Sequence, residues 1–210
     1  MARSDLLLRS MVLGTWLLLL TTALVFAPPA DPGTNALILR MMTGQLDGIN
    51  QSLFALFNLM GVFPLALLSL LAFDSREQRV WKWPFILGSF VLGAFALLPY
   101  LVLRRWQLER RPADALWLRF LGHRVWAAVL LVAASVLTLI FFFSGDLSAF
   151  VSMWRSNQFA FVMSFDFVAC CIAGALLCWE ASRATGDRHW WVSLIPAIGV
   201  PLYLLTRHRD

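Results

Sequence analysis

Residues 161–182, FVMSFDFVACCIAGALLCWEAS, place Asp166 inside an apolar run long enough to cross a bilayer as a helix. Water-soluble helices alternate apolar and polar faces, whereas this run is apolar all round, so it belongs in hydrocarbon or in a fully buried core. The rest of the chain decides for the membrane. Hydrophobic residues make up 60% and charged residues 14% of the 210, with ten Trp and seventeen Phe. No soluble domain could cover such a composition with a polar surface. The formal charge of +5 comes from arginines lying between the apolar runs, where anionic headgroups rather than nucleic acid would meet them.

Six runs, at 11–27, 53–73, 83–103, 125–144, 159–179 and 190–205, are long enough or nearly so to span, the first and last being short. Trp81, Trp83, Trp106, Trp126, Trp179, Trp190 and Trp191 gather at their ends, as an interfacial aromatic belt requires. Arg3, Arg9 and the apolar stretch ending in Val25-Phe26-Ala27 also fit a cleavable signal peptide. The internal repeat favours retention of this first run.

That repeat begins with FNLMGVFPLALLSLLAFDSREQRVWKWP from Phe57 and FVMSFDFVACCIAGALLCWEASRATGDRHWW from Phe161. Each shows an apolar helix, an aromatic and an acid (Phe73-Asp74, Trp179-Glu180), an Arg-containing turn and Trp opening the next helix. LLPYLVLRR at 97–105 answers GVPLYLLTR at 199–207. ALILRMMTG and AFVSMWRSN, each with one Arg and each after a spanning run, read as short interfacial helices.

The expectation is an all-α integral membrane protein with six transmembrane helices in two three-helix repeats, 1–105 and 123–210, joined by an amphipathic linker at 106–122. An odd number of spans per unit predicts inverted topology. Under that arrangement Lys and Arg divide almost evenly between the two faces, and orientation stays open.

Asp166 is the leading candidate for chemistry, because a carboxylate roughly 10 Å below the interface costs several kcal/mol unless paired, protonated or hydrated. A proton-accepting or ligand-binding role and a packing role weigh about equally. Steps of four put Cys170, Gly174 and Cys178 on the same helix face, a strip of small residues expected to face the bundle interior. Asn58, at similar depth in the second run, is the expected partner of Asp166, and Met60 is taken as its repeat counterpart. The ligand-binding candidates are therefore Asp166, Asn58, Cys170 and Gly174.

No metal site is expected, since all three cysteines lie on one helix and read as buried reduced thiols. His123, His189 and His208 lie at helix edges or in the tail, which argues against an internal haem but leaves room for chlorophyll or carotenoid. The phosphate loop, the G-x-S-x-G elbow and H-E-x-x-H are all missing from the sequence, so Asp166 as general acid is the one defensible catalytic candidate. Asp74 and Glu180, beside Arg76, Arg79, Arg183 and Arg188, read as solvated ion pairs in turns.

NQFAFVMSFDFVACCIAGALLCWEASRATGDRHWW (157–191) with PLYLLTRHR (201–209) resembles a small uncharacterised membrane domain of cyanobacteria and plastids. The matching positions are Asp166, Trp179, Glu180, Trp190, Trp191, Pro201, Leu202 and Arg207, about the last 50 residues, and the 57–77 and 92–105 segments resemble its companion half. The resemblance implies a photosynthetic setting, in thylakoid or plasma membrane, and no particular activity. Three functions follow in order: accessory or assembly factor of a photosynthetic membrane complex, with its subunits and the lipid bilayer as partners; a small-molecule or ion carrier; and a membrane enzyme acting on an isoprenoid or pigment.

Overall fold

The computed structural model describes residues 2–73, 78, 80–106 and 116–207, all helix, turn or loop with no strand among them. Helix α1 (Ala2–Thr21) runs on through a five-residue π-helical turn, Thr22–Phe26. After it come α2 (Thr34–Thr43), α3 (Gln51–Leu71), α4 (Trp83–Leu92), α5 (Ala94–Leu103) and α6 (Leu116–Gly122). Helix α7 (Arg124–Leu139) again ends in a π-helical turn, Ile140–Ser144, and precedes α8 (Leu147–Ser156) and α9 (Gln158–Thr185). A 3₁₀ segment, His189–Leu194, and α10 (Gly199–Thr206) complete the fold.

Among the described residues, four helices are long and apolar enough to cross a membrane: Asp5–Phe26, Gln51–Leu71, Arg124–Ser144 and Gln158–Thr185. Local signals start them sharply. Asn50 Oδ1 accepts the Ser52 and Leu53 amides at 2.8 and 3.2 Å, and Asn157 Oδ1 accepts Ala160 N–H at 3.1 Å, each quieting donors that a helix start leaves unpaired. His123 Nδ1 accepts Val125 N–H at the start of α7. Asp146 caps α8, and the Ala149 amide and Ser148 hydroxyl hold its carboxyl below the usual carboxylate range.

Side-chain hydrogen bonds set the direction of each helix. At the near end, where α1 starts, Trp126 Nε1 donates to Ser69 Oγ at 2.9 Å and Arg9 Nη2 to Arg104 O at 3.0 Å. At the far end, Ser52 Oγ donates to Phe141 O at 2.8 Å, Asn50 Nδ2 to Asp146 O at 2.8 Å and Asn157 Nδ2 to Asp31 Oδ2 at 3.2 Å. Helices α1 and α7 therefore run from near end to far end, and α3 and α9 return. Leu8, Val12 and Leu19 of α1 lie in the main core with Leu67 and Leu70 of α3, Leu97 and Leu101 of α5, and Ala173 and Leu177 of α9.

The third and sixth apolar runs are each broken in two. Gln78, ahead of α4, and Arg105, beyond α5, are hydrogen-bonded to each other twice, Arg105 N–H to Oε1 at 2.8 Å and Nε2–H to Arg105 O at 3.1 Å. Lys82 Nζ reaches Leu71 O at the near end of α3. Between these feet the chain folds back on itself. Phe85 and Tyr100 rings meet at 5.8 Å, and a Cβ on Gly88 would stand 3.2 Å from Ala96 Cβ. Each ten-residue arm is about 15 Å long, half a hydrocarbon core.

The last run repeats the device. Gly199 packs against Val192 and Ser193, where a Cβ would come within 2.5 Å of Val192 O, and the Arg207 guanidinium lies 5.8 Å from the Phe73 ring, back at the near end. Where six spans were expected, the described residues give four helices long and apolar enough to span, and each of the other two runs is broken into two shorter segments.

Of the expected 106–122 linker, residues 107–115 lie outside the described residues. Of the rest, Trp106 is buried with Nε1–H on Leu101 O at 3.1 Å, and α6 buries Leu118 and Leu121 against Ala72 and Phe73. Glu180, expected in a solvated turn, is 8% exposed and paired with Arg104 of the first hairpin at 2.5 Å.

Candidate functional site

Asp166 stands nine residues beyond the Asn157 cap, inside α9 and buried. Its Oδ1 accepts the Ala94 amide at 2.7 Å. This is the first donor of α5, exposed because Gly93 breaks the helix with φ +55°. Gly93 has no side chain to cap it, so the carboxylate of another helix does. A helix N-terminus carries partial positive charge, and the arrangement offsets part of the cost of holding an acid at this depth.

The approach is close enough to demand glycine. A Cβ at position 93 would lie 1.8 Å from Asp166 Oδ2 and 2.7 Å from Met60 Cε, besides the positive φ. Asp166 and the hairpin tip form the floor of a cavity of about 410 Å³. Asn58, Met60 and Phe57 of α3 line it with Ser89 of α4 and Phe159 of α9, and Met42 of α2 closes it toward the far end. The walls are aromatic and methionine-rich, with a few polar groups grouped near Asp166, the usual make-up of a small-molecule site.

Asn58 shares this cavity with Asp166, but its amide donates to Phe54 O of its own helix at 2.8 Å. The partner of Asp166 is the Ala94 backbone instead. Cys170 is buried one turn further along, in the main core. Gly174 belongs elsewhere: a Cβ there would meet Val200 of α10 at 2.5 Å and Leu67 of α3 at 3.4 Å, so it lets those helices close in. His123 and His189 use Nδ1 locally, on Val125 N–H and with Asp187 Oδ1 at 3.0 Å, and His208 lies outside the described residues. Among the described residues no three His, Cys, Asp or Glu side chains are grouped to hold a metal ion.

A second cavity, of about 330 Å³, occupies the corresponding place in the other unit. Its floor is the other hairpin tip, Pro196 and Ala197, and α8 closes it through Phe150 and Trp154. Leu59, nine residues beyond Asn50, takes the place that Asp166 takes beyond Asn157, and packs on Ala197. Met60, taken from the sequence as the counterpart of Asp166, lines the cavity of Asp166 itself. The second tip closes on itself, Gly199 N–H bonding Ile195 O at 2.9 Å and Ile198 N–H bonding Pro196 O at 2.8 Å, and needs no acid.

Comparison with protein-family models, curated proteins and solved structures gives no match. The chemistry of the site rests on its own geometry.

Proposed function

We propose that this is a multi-pass membrane protein with four spans and two re-entrant hairpins, a parallel two-unit repeat that binds a small amphipathic molecule in the Asp166 cavity. The paired order of long helix, π-helical turn, surface helix, long helix and hairpin supports the repeat. Charge supports the topology independently. Of seventeen Lys and Arg residues, only Arg40 and Arg155 fall in the segments joined at the far end. By the positive-inside rule the near end, with the N-terminus, is cytoplasmic or its plastid equivalent. Single cysteines replacing Gln78 and Arg105, with the native cysteines removed, should react with impermeant reagent from one face, and cysteines at Asp47 and Ser148 from the other. Labelling of 78 and 105 from opposite faces would restore six spans.

The observation that carries the binding role is a carboxylate at a hairpin tip, flooring a cavity that opens between interfacial helix and bundle. The ligand that fits has an apolar body and a hydrogen-bond donor or positive charge to set against Asp166 and Asn58. The resemblance of the last 50 residues supplies the setting, a photosynthetic membrane, in which the protein acts as an accessory or assembly factor. Its outer helices leave faces for partner subunits or lipid, since only 22% of the spanning window of α1 and 17% of that of α7 is buried.

Purification from the native membrane in mild detergent tests both halves. Partner polypeptides and one small molecule should co-purify in near-stoichiometric amount. Asp166→Asn retains an acceptor for Ala94 N–H and should fold, with ligand retention falling about tenfold for a loss of about 1.4 kcal/mol. Asp166→Leu orphans the Ala94 amide and should also lower stability by about 1–3 kcal/mol, read as thermal unfolding in detergent. Recovery of the protein alone, with neither ligand nor partner, sinks the proposal. The carrier reading rests on the same helix break at mid-depth, and uptake into vesicles abolished by Asp166→Asn would select it.

A further inference from the structure

We infer that the second cavity holds one acyl chain of a membrane amphiphile, its head beside Arg155 at the far end. The inference uses the membrane reading of the fold but not the ligand assigned to Asp166.

Three observations carry it. The cavity wall is almost wholly apolar, Leu59 standing where the other cavity has its carboxylate, and its two hydroxyls are occupied: Thr138 Oγ1 donates to Ala134 O at 2.7 Å and Ser164 Oγ to Ala160 O at 2.7 Å. Water there would meet only the lone pairs of those two hydroxyls, and a largely apolar space of this size is filled by hydrocarbon or left as a cavity. Its mouth also opens sideways. Phe142, Val151 and Val168 line it while remaining 56%, 45% and 53% exposed, so its rim continues into the bilayer-facing surface, and what enters comes from the acyl-chain region.

The third observation concerns the head. The cavity runs from Trp154 of α8 down to Ala197 at the hairpin tip, the direction in which a chain hangs from the interface. Trp154 borders the cavity, and Arg155, exposed in the last turn of α8, follows it. With Arg40 it is one of two Lys or Arg residues at that end among the described residues, and it offers a charge to a phosphate or carboxylate head. The π-helical turn contributes Phe141 and Phe142 to the wall, displacing them from the register an α-helix would impose.

The test is photolabelling of the full chain in phosphatidylcholine vesicles containing a trace of diazirine-tailed phosphatidylcholine or, in a parallel set, of a diazirine fatty acid. Labelled residues are mapped by mass spectrometry. Labels should concentrate several-fold on Phe141, Phe142 and the 164–168 segment relative to Leu24, Val25 and Phe26, the exposed π-helical turn of α1. Ser164→Phe should fill the space and remove the excess while leaving the α1 labels unchanged. Should that variant fail to fold, Val151→Trp at the mouth serves instead. Stronger labelling by the fatty acid, lost with Arg155→Gln, identifies a single-chain anion; stronger labelling by the phospholipid identifies a bilayer lipid. Labelling that follows exposure alone and ignores the filling variants overturns the inference.

Discussion

Gly93→Ala should be the most damaging single methyl in the chain. The new Cβ would stand 1.8 Å from Asp166 Oδ2, 2.6 Å from its Cγ and 2.7 Å from Met60 Cε, and it would sit on a backbone with φ +55° and ψ −132°. Backbone strain of that kind costs about 1–3 kcal/mol, and overpacking a filled site about as much again. Relief requires the tip to withdraw, which breaks the Ala94 cap and opens the cavity floor. A fall in detergent stability of about 3 kcal/mol or more is expected, together with loss of ligand. Gly61→Ala is the control, because nothing lies within 4 Å of a Cβ there and φ is unexceptional; it should change stability by less than about 1 kcal/mol. Gly93→Ala combined with Asp166→Ala removes the worst contact but leaves the strained φ and an uncapped helix, so recovery should be partial. A Gly93→Ala protein as stable as the parent would mean that the hairpin tip does not hold this geometry.

The class of the protein was legible in composition, and so were the long helices, as apolar runs of spanning length; Asn50, Asn157 and His123 fix where three of them start. Asp166 was also legible, since an acid in an apolar run calls for a partner. What could not be read was that partner, a main-chain amide more than seventy residues away in sequence. The hairpins were hidden for a simpler reason. Residues 83–103 are as long and as apolar as a span, and hydropathy is blind to a fold-back at the midpoint. Two signals were nonetheless present. Gly93 divides that run into two equal arms, and Gly88 leaves room for Ala96 to pack close. The near balance of Lys and Arg under six spans was the other: membrane proteins seldom lack a charge bias. Under the four-span arrangement proposed above, only Arg40 and Arg155 lie in segments assigned to the far end, so the near balance under six spans is itself an argument for fewer crossings.

Glu180→Ala should release the foot of the first hairpin while leaving its tip in place. Arg104 is 1% exposed, the largest side chain so fully buried, and Glu180 is 8% exposed; they meet at 2.5 Å, with the guanidinium 4.7 Å from the Trp106 ring. Removing one member of a buried pair strands the other, at about 3–5 kcal/mol, whereas replacing both by apolar residues of similar volume is often near neutral. Arg104→Met with Glu180→Leu should therefore be much closer to the parent than Glu180→Ala, and a double-mutant cycle in detergent would show a large coupling. Helix α9 thus clamps α5 twice, through Asp166 at the tip and Glu180 at the foot, fourteen residues or about 21 Å apart along α9. Clamps that far apart should act independently, so the costs of Asp166→Leu and Glu180→Ala should add to within about 0.5 kcal/mol. Hydrogen exchange separates them: Asp166→Leu should deprotect the 94–97 amides and Glu180→Ala those of 101–105. Common deprotection of the whole hairpin by either change would mean that it opens as one unit, and then the tip could not move to admit a ligand while the foot stays anchored to α9.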